Sequence, residues 1–600
     1  MEATTSARHA SGGPGGEPEA PNLAKAFQAT VERLGDDIAL RDAENEVSWN
    51  ELRAQAAAVA GGLAKLGVSR GDTVVFMLNN RIEFFPCDLG VSTLGGVPFS
   101  IYQTASPEQI SYVTGDAGVK VAIVEKSFLD VFEKAEIPAL EHLIVMDGDG
   151  GTMTYEELLA SDPDFDDAAA AEEVDLDDTL TLIYTSGTTG PPKGVELTHR
   201  NLLSLVASIN HLISFPEEGA KVISWLPAAH IAERGAHYYL PMTKGVQVAV
   251  CPDPRTIIDF LPTVRPTWFF AVPRVWEKLK SGLETMLEAL PDEQRVPAQK
   301  GIEAAIEKVR LEQRGEEVPD EIAAAAAAGE EKMFAGLRAH LGLDQLIAVN
   351  VGAAPTPVEV LEFFHAIGIP VSELWGMSET CGGATVNPPD KVKIGTVGPP
   401  LPGVEIKLAD DGEVMVKGDI IMRGYRNMPD KTAETIDEDG WLATGDIGEI
   451  DEDGYMKIVD RKKELIINAA GKNMSPAGIE SHLKASSPLI GQAIAIGDAR
   501  PYNVALIVLD SEFVPGWASK NGIDGADVAS LAENEQVLAA VQEAVDAANA
   551  KMSRVEQIKK FKLLGDEWLP GGDELTPTMK LKRRPINDKY EGEIEALYGG

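Results

Sequence analysis

Cysteine is scarce, with only Cys87, Cys251 and Cys381 in 600 residues. They lie far apart and form no CxxC pair, which excludes a disulfide framework and a paired-cysteine metal site and fits a reducing compartment. A cytoplasmic location is therefore expected. Positive charge is also in deficit: 53 Lys and Arg stand against 95 Asp and Glu, a formal net charge of −42. Such a surface repels polyanions and excludes a general nucleic-acid coat, while leaving room for a local basic site that takes a small anion. Long apolar runs are missing too. No window approaches the roughly 18 residues needed to span a bilayer. The nine histidines show no HExxH spacing, so a zinc hydrolase site is not indicated. The first 22 residues are rich in Gly, Pro, Ala, Ser and Glu without the apolar core of a signal peptide, and a flexible tail is expected there.

The apolar fraction of 44% is that of a globular chain with a sizeable core. Between about 23 and 343, short β-like runs alternate with helical stretches. Asp72–Leu78, Val119–Val124, Val222–Leu226, Val246–Val250 and Thr267–Phe270 are strand candidates. Near-continuous apolar strands between helices point to parallel sheets covered on both faces. From 275 to 343 the chain is rich in Glu, Lys and Ala, with a run from Ala323 to Ala328, and reads as an exposed helical insertion. After Val404, the dipeptides Asp411-Gly412, Asp439-Gly440 and Asp453-Gly454 punctuate short apolar runs as in β-hairpins. Beyond Arg461 mixed α and β elements return, with a long helical pattern from Ala529 to Lys559.

The most informative segment is Tyr184-Thr-Ser-Gly-Thr-Thr-Gly-Pro-Pro-Lys-Gly194. An apolar strand delivers a loop in which Gly187, Gly190 and Gly194 let backbone N–H groups turn toward an anion. Thr185, Ser186, Thr188 and Thr189 add hydroxyl donors, and Lys193 adds charge. The segment is not a Walker loop, because Pro192 precedes the lysine and Gly194 follows it. Gly376-Met-Ser-Glu-Thr380 fails as a nucleophile elbow, which needs Gly at its last position.

This undecapeptide resembles the phosphate loop of the adenylate-forming enzymes: acyl-CoA synthetases, luciferases and peptide-synthetase adenylation domains. The resemblance continues in order through Leu226-Pro-Ala-Ala-His-Ile-Ala-Glu-Arg234, Gly352-Ala-Ala-Pro355, Trp375-Gly-Met-Ser-Glu-Thr380, Thr444-Gly-Asp446, Asp460-Arg-Lys-Lys463 and Leu575-Thr-Pro-Thr-Met-Lys580. It implies an α/β fold: a large N-terminal multi-sheet α/β domain over 23–459 that binds ATP and acyl chain, and a small mobile C-terminal α+β domain over 460–600. It also implies site roles. Gly352, Ala353 and Ala354 would face adenine and Trp375 would stack on it, while Gly376, Met377 and Ser378 would complete the ATP-binding site. Ser186 to Gly190 and Lys193 would hold the phosphates, and Asp446 and Arg461 the ribose. Thr185 and Glu379 would supply oxygens to Mg²⁺. His230 would position the carboxylate, and Lys580 would be the catalytic cation. Asp460 would be the hinge, with Lys463, Gly471, Lys472 and Asn473 on the CoA side.

Leu226–Arg234 and Val272-Pro-Arg-Val-Trp-Glu-Lys278 resemble the long-chain fatty acyl-CoA synthetases. Glu464–Asn473 is similar to their very-long-chain, bubblegum-type relatives, although Ile467 stands where many of these carry Lys. The resemblance implies ATP-dependent activation of a long-chain fatty acid through an acyl-adenylate. Transfer to CoA would follow, giving acyl-CoA, AMP and pyrophosphate. Free fatty acid partitions into membranes, so a peripheral membrane contact is compatible with this reading. A fatty acyl-AMP ligase loading a carrier protein, and a catalytically silent lipid or nucleotide sensor, are the alternatives. The sequence does not fix chain length or oligomeric state.

Overall fold

Runs of β-branched and aromatic residues form the interior strands, and the computed structural model describes residues 8–185, 191–468, 472–523, 527–576 and 579–599. Ser186 to Gly190 and Gly471, all expected in the site, lie outside the described residues, as does the side chain of Asn473. Val97–Ser100, Thr73–Met77, Val121–Glu125, His142–Met146 and Met153–Thr154 form a wholly parallel sheet. A second sheet orders Lys221–Ser224, Gln247–Val250, Ile38–Arg41 and Glu46–Ser48. A third orders Trp268–Ala271, Ala348–Val351, Ser372–Trp375 and Thr385–Val386. In both, only the last pair is antiparallel. Near-continuous apolar strands thus became parallel, helix-covered sheets, as both faces are buried.

Two antiparallel sheets complete the N-terminal part. Thr179–Thr185 pairs with Lys193–Thr198, which pairs with Gly424–Tyr425. The other sheet runs Glu405–Leu408, Glu413–Lys417, Leu442–Ile450 and Met456–Arg461. Gly412 and Gly454, at φ +85° and +82°, close its hairpins, as their Asp-Gly pairs predict. Asp439-Gly440 instead forms a turn after the helix Pro429–Thr435, closed by an Ile436–Leu442 bridge.

Two expectations need correction. Residues 8–22 are not a loose tail: His9–Ser11 adds an edge strand to Glu405–Leu408, and Asn22 caps the helix Leu23–Leu34. Backbone pairing, which needs no apolar side chains, binds a segment whose composition reads as disorder. The Ala529–Lys559 pattern is not one helix. Asn534 starts a new helix, Glu535–Lys551, after Val528–Ala532, and Ile558–Leu564 is a strand parallel to Asn503–Leu509.

The insertion is helical, with Pro273–Glu288, Asp292–Gln313, Asp320–Gly329 and Ala335–Leu341. Ile302, Ala326, Phe334 and Leu337 bury against the third sheet's helices. Beyond Asp460, two separate apolar clusters form around Ile490–Ile496, Asn503–Leu509 and Ile558–Leu564. Among the described residues no helix is long and apolar enough to cross a membrane.

Candidate functional site

The phosphate-loop sequence is the connection of a hairpin, with Thr185 and Lys193 as register partners at its base. Gly194 is needed there for packing, since a Cβ would stand 2.9 Å from the Tyr184 ring. Lys193 projects its ammonium over the Tyr425 ring, 3.9 Å from the centroid. Burial and the like charges of Lys431, Lys463 and Arg461 push its pKa down, opposed by Glu379.

Glu379 sits in a short turn, Ser378–Thr380, just after the strand Ser372–Trp375. The turn folds tightly against the segment that follows it: a Cβ on Gly376 would lie 2.5 Å from the Gly382 carbonyl oxygen. Thr380 ties the turn to Met377 by accepting its N–H at 3.0 Å. Glu379 is only 5% exposed, and its Oε1 accepts the Tyr425 hydroxyl proton at 2.7 Å. Among the described residues its Oε2 has no donor. Met377 and Ser378 are half-buried beside it.

Asp446 and Arg461 are register partners on neighbouring strands, and Arg461 Nε lies 2.9 Å from Asp446 Oδ1. The other oxygen of Asp446 accepts the Trp375 indole N–H at 2.9 Å. Burial raises the Asp446 pKa against the pull of Arg461, the Trp375 hydrogen bond and Lys580. Trp375 is 9% exposed and packs in the main core. The structure thus gives its indole a buried partner in Asp446 alongside any stacking face. Gly352 follows the strand Ala348–Val351, and Ala353 holds φ +71°, a left-handed conformation that alanine seldom adopts. Ala354 is exposed next to it.

His230 caps a short helix, Ile231–Glu233, its Nδ1 accepting the Ala232 N–H at 3.1 Å. Burial and the nearby Lys580 push its pKa down to about 3. The ring is therefore neutral at physiological pH and, with Nδ1 an acceptor, carries its proton on Nε2. Sequence reasoning missed what holds this loop. Arg234, fully buried, pairs with Asp88 at 2.6 Å and donates to the Ala228 carbonyl at 3.1 Å. Glu233 accepts from Leu226 N–H at 2.9 Å and Ser224 Oγ at 2.6 Å. The available signal was two adjacent charges inside an apolar run.

Lys580 is carried by a hairpin-like turn closed by a Leu575–Leu581 bridge, with Thr576 and Lys580 exchanging backbone and side-chain bonds of 2.8 and 3.0 Å. Its surface is exposed, yet Asp446, Glu379 and Glu464 support its charge while desolvation and Arg461 oppose it, with a net lowering of its pKa. That exposed surface therefore lines the cleft between the N-terminal sheets and the C-terminal part. Asp460 accepts from Ser475 Oγ at 2.6 Å and Ala477 N–H at 3.0 Å, which places a carboxylate at the N-terminus of the helix Pro476–Ser486. Lys463 and Lys472 are exposed, and the Lys472 N–H donates to Asn468 Oδ1 at 3.0 Å. Asn473 pairs through its backbone with Ile467. Lys193, Arg461, Lys463 and Lys580 thus gather on one cleft of an acidic chain, a setting that concentrates anions.

Among the described residues no group of three or more His, Cys, Asp or Glu side chains could hold a metal ion. A cation that keeps most of its shell for phosphate and water, as Mg²⁺ does, needs few protein oxygens, and Glu379 Oε2, without a donor among the described residues, is one that could serve.

The sequence profile described as AMP-binding enzyme matches residues 27–428, and that described as AMP-binding enzyme C-terminal domain matches 463–600. A putative fatty-acid–CoA ligase of Mycobacterium tuberculosis is 49% identical over 75% of this chain and 79% of its own. A long-chain-fatty-acid–CoA ligase of Gallus gallus is 33% identical over 97% of this chain and 82% of its own. Among solved structures, the adenylation domain of a Mycobacterium chelonae carboxylate reductase superposes with a TM-score of 0.77 at 20% identity, covering 97% of this chain and 92% of that one. An anthranilate CoA ligase in complex with anthranoyl-AMP gives 0.73 at 19% identity, covering 96% and 98%.

Proposed function

We propose, from the premise that this chain belongs to the AMP-binding enzyme family, that it is a long-chain fatty acid–CoA ligase. It would join the carboxylate to AMP from ATP and then pass the acyl group to CoA. The observation that carries the reading is the convergence of Lys580, Lys193 and Arg461 on a cleft floored by buried Glu379 and Asp446. Relatives named as long-chain-fatty-acid–CoA ligases over most of their length support the substrate, and favour CoA over a carrier-protein arm as acceptor.

A carboxylate is a poor electrophile, so thioester formation needs an activated acyl group. Attack of a carboxylate oxygen on the α-phosphate of ATP forms the acyl–phosphate bond and releases pyrophosphate. Lys580 supplies a preorganised cation where charge grows on the α-phosphate oxygens. His230, neutral with its proton on Nε2, offers a donor to the incoming carboxylate without neutralising it. Lys193 meets the phosphate chain from the loop side. Asp446 would accept from the ribose hydroxyls, with Arg461 beside it and the Trp375 indole fixing its other oxygen. When bound, Mg²⁺ would draw charge from the phosphates, with Glu379 and Thr185 as its protein oxygens. In the second half-reaction the CoA sulfur displaces AMP. A turn of the C-terminal part at Asp460 would take Lys580 away and bring Lys463 and Gly471 to Asn473 toward CoA.

Two measurements test this. AMP release with ATP, Mg²⁺ and CoA should rise from acetate to long chains, since each buried methylene adds about 0.8 kcal/mol; a preference for acetate would refute the long-chain assignment. Lys580→Ala should slow acyl-AMP formation about a hundred- to a thousand-fold, yet convert preformed acyl-AMP and CoA to thioester at nearly the wild-type rate. Equal loss in both steps would make Lys580 a structural residue.

A further inference from the structure

Tyr425 has no place in the mechanism above, yet it touches both charged groups that would face the phosphate chain. Its ring lies under the Lys193 ammonium at 3.9 Å, and its hydroxyl donates to Glu379 Oε1 at 2.7 Å. The ring is fixed by its own strand: Tyr425 pairs with Val195, two residues after Lys193, and its N–H donates to Thr432 Oγ1 at 2.9 Å. Tyr425 and Glu379 are both buried. Lys193 and Glu379 are close enough to influence one another, but among the described residues they form no ion pair.

That last fact calls for a cause. An opposite-charged pair facing one partly desolvated cleft is drawn toward contact by a Coulomb attraction that the lowered dielectric strengthens. A collapsed pair would cancel the lysine's attraction for phosphate and occupy the carboxylate oxygen a cation needs. Tyr425 gives each group an alternative partner. The ring face attracts the ammonium through its quadrupole, and the hydroxyl satisfies one carboxylate oxygen with a charge-assisted bond. Glu379 Oε2 is left without a donor among the described residues.

We infer that Tyr425 is a positioning residue for the nucleotide site, a spacer that keeps Lys193 and Glu379 apart and aims one at phosphate and the other at the metal. The inference rests on the nucleotide-binding reading of the cleft. It assigns the two ends of one side chain separable effects: the hydroxyl governs the carboxylate, and the ring governs the lysine.

Tyr425→Phe keeps the ring and removes the hydroxyl, while Tyr425→Leu removes both and keeps apolar volume in the strand. Binding of a non-hydrolysable ATP analogue, measured by calorimetry with and without Mg²⁺, is read beside the Mg²⁺ dependence of acyl-AMP formation. For Tyr425→Phe, the Mg²⁺ concentration at half-saturation should rise about tenfold in both measurements, the scale of one hydrogen bond to a charged group. Metal-free affinity for the analogue should stay within about twofold, because a ring–cation contact survives. Tyr425→Leu should show the same Mg²⁺ shift and a further loss of metal-free affinity of about threefold or more, as the two charges pair directly. An unchanged Mg²⁺ requirement in Tyr425→Phe overturns the inference, and so does a folded Tyr425→Leu whose metal-free affinity equals that of wild type. If Tyr425→Leu fails to fold, the Mg²⁺ shift in Tyr425→Phe decides alone. Wild-type protein that binds no nucleotide would instead overturn the functional reading on which the inference stands.

Discussion

His199 is enclosed where the N-terminal helix begins, and its Nδ1 accepts the Leu23 N–H at 3.1 Å. Burial, opposed by Asp178, pushes its pKa down to about 4. In an unfolded chain the same ring takes its proton near pH 6.5. Between those values the unfolded state binds a proton that the folded state refuses, so stability is full above about 6.5 and falls as the pH drops. The slope is up to about 1.4 kcal/mol per pH unit for each such histidine. Asparagine can keep an acceptor facing Leu23 without titrating, so His199→Asn should flatten urea-derived stability between about pH 6.5 and about pH 4.5. An unchanged slope would show that His199 already charges in the folded chain. Arg234 belongs to the same scale. Its Leu variant would strand Asp88 in the core and should lower stability by about 3–5 kcal/mol, and with it the hold on the Ala228 carbonyl beside His230. Thermal melts of Arg234→Leu and Asp88→Asn would show whether the charge is the cause.

At the scale of elements, local chemistry decided what could be read in advance. Asp-Gly at 411–412 and 453–454 closes real hairpins, because a turn with positive φ is written in two residues. The register of Thr185 with Lys193 brings the two ends of the small-residue segment together, while Ser186 to Gly190 lie outside the described residues. The strand His9–Ser11 was not legible, since its pairing with Glu405–Leu408 is a backbone partnership almost four hundred residues away. The helical pattern expected from Ala529 to Lys559 overruns Ile558 and Lys559, which instead begin the strand Ile558–Leu564, because parallel pairing to Asn503–Leu509 overrides local preference. Tyr425 was invisible as a site residue because its role depends on two partners from different segments. Asp460 is expected as a hinge only by resemblance, whereas the structure shows it as a cap on Pro476–Ser486. Asp460→Ala removes a carboxylate from a helix N-terminus and should cost about 1–2 kcal/mol in the C-terminal part. Asp460→Asn should recover part of that, and equal stability of all three proteins would make the cap incidental.

At the scale of the whole molecule, three ion pairs among the described residues join the N-terminal part to the C-terminal part near the insertion: Arg274 with Asp510, Lys278 with Glu512 at 2.7 Å, and Lys551 with Glu359. Two of these begin on the helix Pro273–Glu288. Asp510 also accepts the N–H groups of Glu512 and Phe513 at 3.0 and 2.9 Å, so its carboxylate is held toward Arg274 rather than free to follow it. Lys278 is half-buried and Glu512 exposed, and a pair open to solvent on one side contributes only about 0–1 kcal/mol. Arg274–Asp510 is the more sheltered contact, with Asp510 side chain at 8% exposure. This arrangement is the one that brings Lys580 to Asp446 and Glu379, so the pairs should favour acyl-AMP formation over the thioester step. Raising salt from about 0.05 M to about 0.5 M shortens the screening length severalfold, but it also weakens nucleotide attraction in both steps. Substitution at fixed salt separates the two effects. Arg274→Gln should slow acyl-AMP formation from fatty acid and ATP several-fold, and leave thioester formation from preformed acyl-AMP and CoA unchanged or faster. Stopped-flow traces of the two half-reactions, run in one buffer, give that ratio directly. If both rates fall together, Arg274 supports the helix Pro273–Glu288 itself, and the orientation of the C-terminal part is set elsewhere.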